Sequence, residues 1–210
     1  TNVAKIAAGG ISNVTLSSAQ FDTLVTPGKL ANASATISGT ATYAHIDGHL
    51  AKIAAGGVGA IDLSAAQFTA FDASKLANGA ATITALDTGT AADIDAVVAN
   101  ASKVGSVSSL TIDFSDAGLT SAEVTSLLAL PVVNITVEAT ATAAQAATVL
   151  GATNSGTTTI TAISGTAEQI LALPIDVNDT LTTVTVTGTV SSEQAAALDV
   201  VDAMAGVGTV

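Results

Sequence analysis

Short apolar–polar–apolar triplets recur along this chain: Val14-Thr15-Leu16, Ala35-Thr36-Ile37, Ile61-Asp62-Leu63, Ala81-Thr82-Ile83, Leu110-Thr111-Ile112, Ile135-Thr136-Val137, Thr158-Thr159-Ile160 and Val184-Thr185-Val186. Period-2 alternation in β-branched residues predicts short strands with one face buried, and the mean step between them is about 24 residues. After the strands come helix starts: Ser or Thr followed three places later by Gln, Glu or Asp, at Ser17/Gln20, Ser64/Gln67, Thr90/Asp93, Thr120/Glu123, Thr142/Gln145, Thr166/Gln169 and Ser191/Gln194. The hydroxyl satisfies a free N–H of the first turn while the third residue reaches back to the cap. Thr42/His45 fills the remaining place, and the spacing predicts a helix over 43–55. An apolar residue follows each start with another three or four places on, as in Phe21/Leu24, Ile46/Leu50, Phe68/Phe71 and Val124/Leu127, one inward stripe per helix. Pro131, Pro174 and the glycines at 56–57, 105 and 151 read as helix ends or returns to the next strand.

The repeat is plainest where 4–38 (AKIAAGGISNVTLSSAQF…) aligns with 51–84 (AKIAAGGVGAIDLSAAQF…). One strand–helix unit of this length cannot bury its own apolar surface; stacking such units can. The expected fold is therefore a right-handed α/β solenoid of about eight strand–helix coils, residues 1–210, with a parallel sheet on one side and helices on the other. It is leucine-rich-repeat-like in plan only, without the leucine pattern of that family. The strand, Thr-rich turn and helix starts Ser64-Ala65-Ala66-Gln67, Thr90-Ala91-Ala92-Asp93 and Thr142-Ala143-Ala144-Gln145 resemble the α/β repeats of very large secreted bacterial proteins: hemolysin-type calcium-binding proteins, adhesins and surface-layer-like proteins. That resemblance implies an extracellular or cell-surface structural role. The calcium-binding nonapeptide of such proteins is missing, since Gly56-Gly57-Val58-Gly59-Ala60-Ile61-Asp62 misplaces its Asp, so calcium is not implied.

Composition narrows the partners. The 210 residues carry five Lys, no Arg and a formal charge of -12. Phosphate backbones and anionic membrane surfaces are poor partners for such a chain. No apolar run is long enough to insert into a membrane. Aromatics make up 2%, too few for a thick core with deep pockets, and without Cys there are neither disulfides nor thiolate metal sites.

Candidate chemistry is sparse. His45 and His49 stand four apart, with the spacing of a helical metal pair, but no third ligand is evident and a solvated helix face is the plainer reading. Asp176, Asn178 and Asp179 offer oxygen ligands suited to calcium, and are also ordinary turn formers. No nucleophile–base arrangement or phosphate loop stands out, so the chain reads as non-catalytic with no cofactor. The outward middle residues of the strands form a column, Thr15, Thr36, Thr82, Thr111, Thr136, Thr159 and Thr185, interrupted by Asp62 and extended by Thr209. Stacked strands space such residues about 4.8 Å apart. This surface is the candidate for binding ice, a glycan or another cell surface, although Asp113 and Glu138 break the neighbouring column. Residues 4–10 begin inside a coil and 206–210 reproduce the start of a strand. Further repeats, or copies of the chain docked end to end, are the expected partners.

Overall fold

The computed structural model describes residues 2–205, with side-chain surroundings over 4–199. The fold is α/β: strands and helices alternate, and the strand pairings described below are all parallel. Two compact units divide the chain, the first Thr1–Thr84 with Asp95–Ser106, the second Ala85–Ile94 with Val107–Val210.

In the first unit β1 (Val14–Ser17), β2 (Ala35–Ala41), β3 (Ile53–Leu63) and β4 (Ala81–Ile83) lie side by side in chain order. Helices α1 (Ser18–Val25), α2 (Tyr43–Ile46) and α3 (Ala65–Ala70) follow the first three strands. Leu16, Ile37, Ile61, Leu63 and Ile83 from the strands are buried, as are Phe21, Ile46 and Phe68 from the helices. Full burial of a side chain of this size contributes about 1.5–3 kcal/mol. Ala35, Ala41 and Ala81 are buried too, small enough to keep the core thin.

In the second unit β5 (Leu86–Asp87) pairs with β6 (Val104–Ile112, of which Val107 onward belongs here). β7 (Val132–Thr142), β8 (Thr158–Thr166) and β9 (Asp179–Thr187) then follow in order. α4 (Ala91–Ala99) gives this unit its first four residues, and α5 (Ser121–Leu128), α6 (Ala143–Leu150), α7 (Ala167–Leu171) and α8 (Ser192–Ala205) follow β6 to β9. Strands and helices approach closely here: a Cβ added at Gly165 of β8 would stand 2.8 Å from Ala143 Cβ.

The capping boxes are formed in α1, α3, α5, α6 and α7, with both reciprocal hydrogen bonds present, and Ser191 and Gln194 exchange the same pair before α8. Thr42 makes no side-chain cap.

Several expectations from the sequence are overturned. The helix predicted over 43–55 ends at Ile46: Asp47 is extended, Gly48 takes φ +75°, and Ile53 opens a strand. The repeated Ala-Ala-Gly-Gly, at 54–57, is a corner inside that strand, not a helix end. Gly56 has φ +63°, as Gly9 has φ +64° in the first copy, and a Cβ on Gly57 would press on Ala35 O at 2.9 Å. Gly105 likewise lies within β6. The threonine column also differs. Thr111, Thr136, Thr159 and Thr180 are in register, whereas Thr185 stands beside Ser164. The strand triplet in β9 is Asp179-Thr180-Leu181, whose first member is a buried carboxylate where an apolar residue was expected. In the first unit Thr15 pairs with Thr36, and Asp62 with Thr82. The column breaks between these pairs because the β2–β3 register shifts twice, bringing Ala41 rather than Ala35 beside Ile61. Thr209 lies outside the described residues.

Candidate functional site

The two histidines do not share a helical face. His45 is in α2, while His49 has left it and precedes a 3-10 turn at Leu50–Lys52. His45 Nδ1 lies 3.3 Å from the hydroxyl of Ser18, the buried first residue of α1, and that hydroxyl also accepts the Thr42 N–H at 3.0 Å. This serine takes up the Thr42 N–H, which in the formed capping boxes goes to the Gln or Glu three places on, and so joins two successive helices. Among the described residues no three His, Asp or Glu side chains are grouped to hold a metal ion.

Asp176, Asn178 and Asp179 form a turn closed on itself. Asp176 Oδ1 accepts the Asn178 N–H at 2.7 Å, and Asp179 Oδ2 accepts the Asp176 N–H at 2.7 Å. Asp179 is buried beside Thr158, which it faces across the β8–β9 pair and whose hydroxyl bonds to it. Burial raises its pKa above the usual carboxylate value, against the pull of these hydrogen bonds. A second polar knot ties β5 to the loop after β6. Buried Thr88 donates to Asp116 Oδ2 at 2.6 Å and accepts the Asp113 N–H at 2.8 Å. Asp113 in turn accepts the Ser115 hydroxyl at 2.6 Å, which lowers its pKa. These carboxylates hold backbone in turns.

The outward sheet face of the second unit carries the in-register threonines 111, 136, 159 and 180. On β8 and β9 it also carries Thr161 and Thr182, both exposed, whereas the corresponding places just after β6 and on β7 hold Asp113 and Glu138.

One constellation was missed in the sequence. All five lysines, Lys5, Lys29, Lys52, Lys75 and Lys103, occupy the same place in successive repeats, just before Ile, Leu or Val. Four of them end short 3-10 turns. Each later lysine reaches back into the preceding repeat. Lys29 Nζ donates to Ile6 O, Lys75 Nζ to Ile53 O at 3.0 Å and Lys103 Nζ to Leu76 O at 2.9 Å. Lys52 and Lys103 also donate to the side-chain amides of Asn32 and Asn78, at 2.8 and 3.0 Å. The recurring Lys-Ile/Leu-Ala-Ala/Asn was visible as a motif; that its acceptors are backbone carbonyls one repeat away was not.

Hollows also mark the surface of the described residues. One, of about 160 Å³, lies among Phe114, Leu119, Val124 and Thr148 of the second unit. Another, of about 220 Å³, opens among Leu16, Gln20, Thr23 and Leu24 on β1 and α1. In comparisons with known proteins the chain matches no family model, no curated protein and no solved structure.

Proposed function

We propose that this chain is a non-catalytic structural module: one right-handed α/β solenoid of eight strand–helix coils, serving as a rod or spacer in an extracellular assembly such as a surface layer, adhesin or filament. The observation that carries this reading is the repeated step itself. The capping box recurs from repeat to repeat, successive strands pair in parallel, and in the first unit Lys29, Lys75 and Lys103 each reach a carbonyl of the repeat before, as expected where each coil exists to support the next. The named polar side chains are spent on turns, caps and ladders. Labelling of intact producing cells with antibody against the chain, followed by electron microscopy, tests the reading. Signal at the cell surface is expected, and signal only after permeabilisation overturns it.

A second reading has one observation in its favour: Thr159, Thr161, Thr180 and Thr182 form a two-by-two outward patch on adjacent strands. Such a patch suits an ordered-water surface, and binding of ice or of a glycan surface would use it. Ice shaping and freezing-point hysteresis, lost on replacing Thr159 and Thr180 with Val, would establish that function. Absence of hysteresis in the unaltered chain removes the ice reading.

A further inference from the structure

Between β6 and α5 the second unit carries an insertion. β1, β7 and β8 run directly into their helices, and no other strand is separated from its helix by more than four residues among those described. Here eight residues, 113–120, stand between Ile112 and Ser121. Insertions in repeat arrays fall in loops on one face, often the face that binds. This loop is held firmly. The Asp116 N–H donates to Asp113 O at 3.1 Å, the Leu119 N–H to Asp116 O at 3.3 Å, and buried Thr88 ties both aspartates to β5. Toward α4 the loop closes on Ala91 and Ile94, leaving about 10 Å³, room for one water at most. Toward α6 it stands clear, and the hollow of about 160 Å³ opens there.

The lining has an apolar part and a polar part. Phe114, Leu119 and Val124 supply the first. Phe21, Phe68 and Phe71 are buried in the first unit's core, whereas Phe114 is half-buried and sits on the inserted loop. Ser121, Thr125, Gln145 and Thr148 supply the polar part. Gln145 gives Oε1 to the Thr142 cap at 2.9 Å, so its NH2 keeps two donors, which have no partner among the described residues; nor has the Ser121 hydroxyl. The Thr125 and Thr148 hydroxyls donate to Ser121 O at 2.9 Å and Ala144 O at 3.0 Å, which leaves their oxygens as acceptors. A wholly apolar ligand would strip water from these groups and replace none of it. An anion would find no lysine or arginine in this unit, with Asp113, Asp116 and Glu123 close along the chain. The volume falls below the roughly 300 Å³ at which pockets for drug-sized ligands begin, so it suits a single ring.

We propose that this hollow binds one ring of a neutral sugar, its C–H face against Phe114 and its hydroxyls on Gln145, Ser121, Thr125 and Thr148. The site lies on the helix side of the second unit, apart from the outward threonines of the sheet, and it does not rest on the scaffold reading.

Nuclear magnetic resonance titration of the full chain with the methyl glycosides of glucose, galactose and mannose tests it. At least one is expected to shift amides within 113–125 and 145–148, with a dissociation constant of about 1–10 mM, as befits so small a ligand on an open site. Gln145→Glu keeps an oxygen for the Thr142 cap, as Glu123 does for Thr120, and exchanges the NH2 donors for a second oxygen. Phe114→Ala removes the apolar platform. Each variant, verified as folded by circular dichroism, is expected to weaken binding about tenfold or more. The uronate of the sugar that binds should bind more weakly, by a margin that shrinks with added salt. An oligosaccharide ending in that sugar should bind as the single ring does; affinity that climbs with chain length would overturn a one-ring site. No response to any of the three glycosides, variants that bind like the original, or a uronate that binds more tightly would each overturn the proposal. Binding that survives Phe114→Ala and Gln145→Glu but is lost on replacing Thr159 and Thr180 with Val would also overturn it, and would move the sugar to the sheet face.

Discussion

The two units have related elements but hold them together differently. The first contains all five lysines and only five aspartates, so its formal charge is zero; the other twelve acidic residues, and no cation, fall in the second. In the first unit the returns between helix and strand are cross-linked by ammonium groups donating to carbonyls of the repeat before. In the second, Pro131 and Pro174 stand at two of the corresponding returns. Buried Thr88, Thr158 and Asp179 perform the linking with hydroxyls and a carboxylate. The same stacking problem is solved once with cations and once without, and the chain's whole net charge follows from that division.

The largest effect should come from the closest backbone approach in the lysine unit. A Cβ at Gly105 would stand 2.2 Å from Gly79 O, so Gly105→Ala has no room without moving a strand. We expect a loss of about 3 kcal/mol, at the upper end for overpacking. Hydrogen exchange resolved by repeat should show loosening around 75–106 and little change in β8 and β9.

Lys103→Met keeps the aliphatic stem and removes the ammonium, leaving Leu76 O and Asn78 without their donor. A charged hydrogen bond of this kind is worth about 1.5–3 kcal/mol, and its partial exposure argues for the lower end. Chemical denaturation should locate the loss in the first unit. If acetylating every lysine loosens both units equally, the contrast drawn above is wrong.

Thr120→Ala and Ser64→Ala remove equivalent caps from α5 and α3. Each should cost about 1 kcal/mol within its own unit, since a first-turn N–H is stranded in each case. Thermal unfolding with exchange readout checks that the two losses are alike, the point on which the units do not differ.

The smallest effect concerns pH and belongs to the second unit. The Asp179 pKa is raised in the fold above its ordinary value of 3.8, chiefly by burial. Its contribution is therefore most favourable below that ordinary value and is lost as pH rises through the raised folded value. Exchange in β9 should slow as pH is lowered from neutral toward 4, after correction for the intrinsic rate. Asp179→Asn should abolish that dependence and leave stability at neutral pH equal or slightly higher. An unchanged pH profile in Asp179→Asn would show that other carboxylates set it.

What the sequence determined by itself was local. The caps at Ser17, Ser64, Thr120, Thr142, Thr166 and Ser191 were legible because donor and acceptor are three residues apart, and nothing distant is needed to form them. The strands around Thr15, Thr111 and Thr136 were legible for the same reason, as period-2 alternation in β-branched residues. Register was decided by tertiary structure. Thr180 and Thr185 both lie in alternating stretches of β9, and only pairing with β8 selects Thr180 for the column. The helix predicted over 43–55 failed because Gly48 at positive φ and the Ala-Ala-Gly-Gly corner serve a strand whose partners lie a repeat away. The lysine positions could be read off the chain; the carbonyls they hold could not, because backbone acceptors carry no sequence signature and become neighbours only when one repeat is laid upon the next.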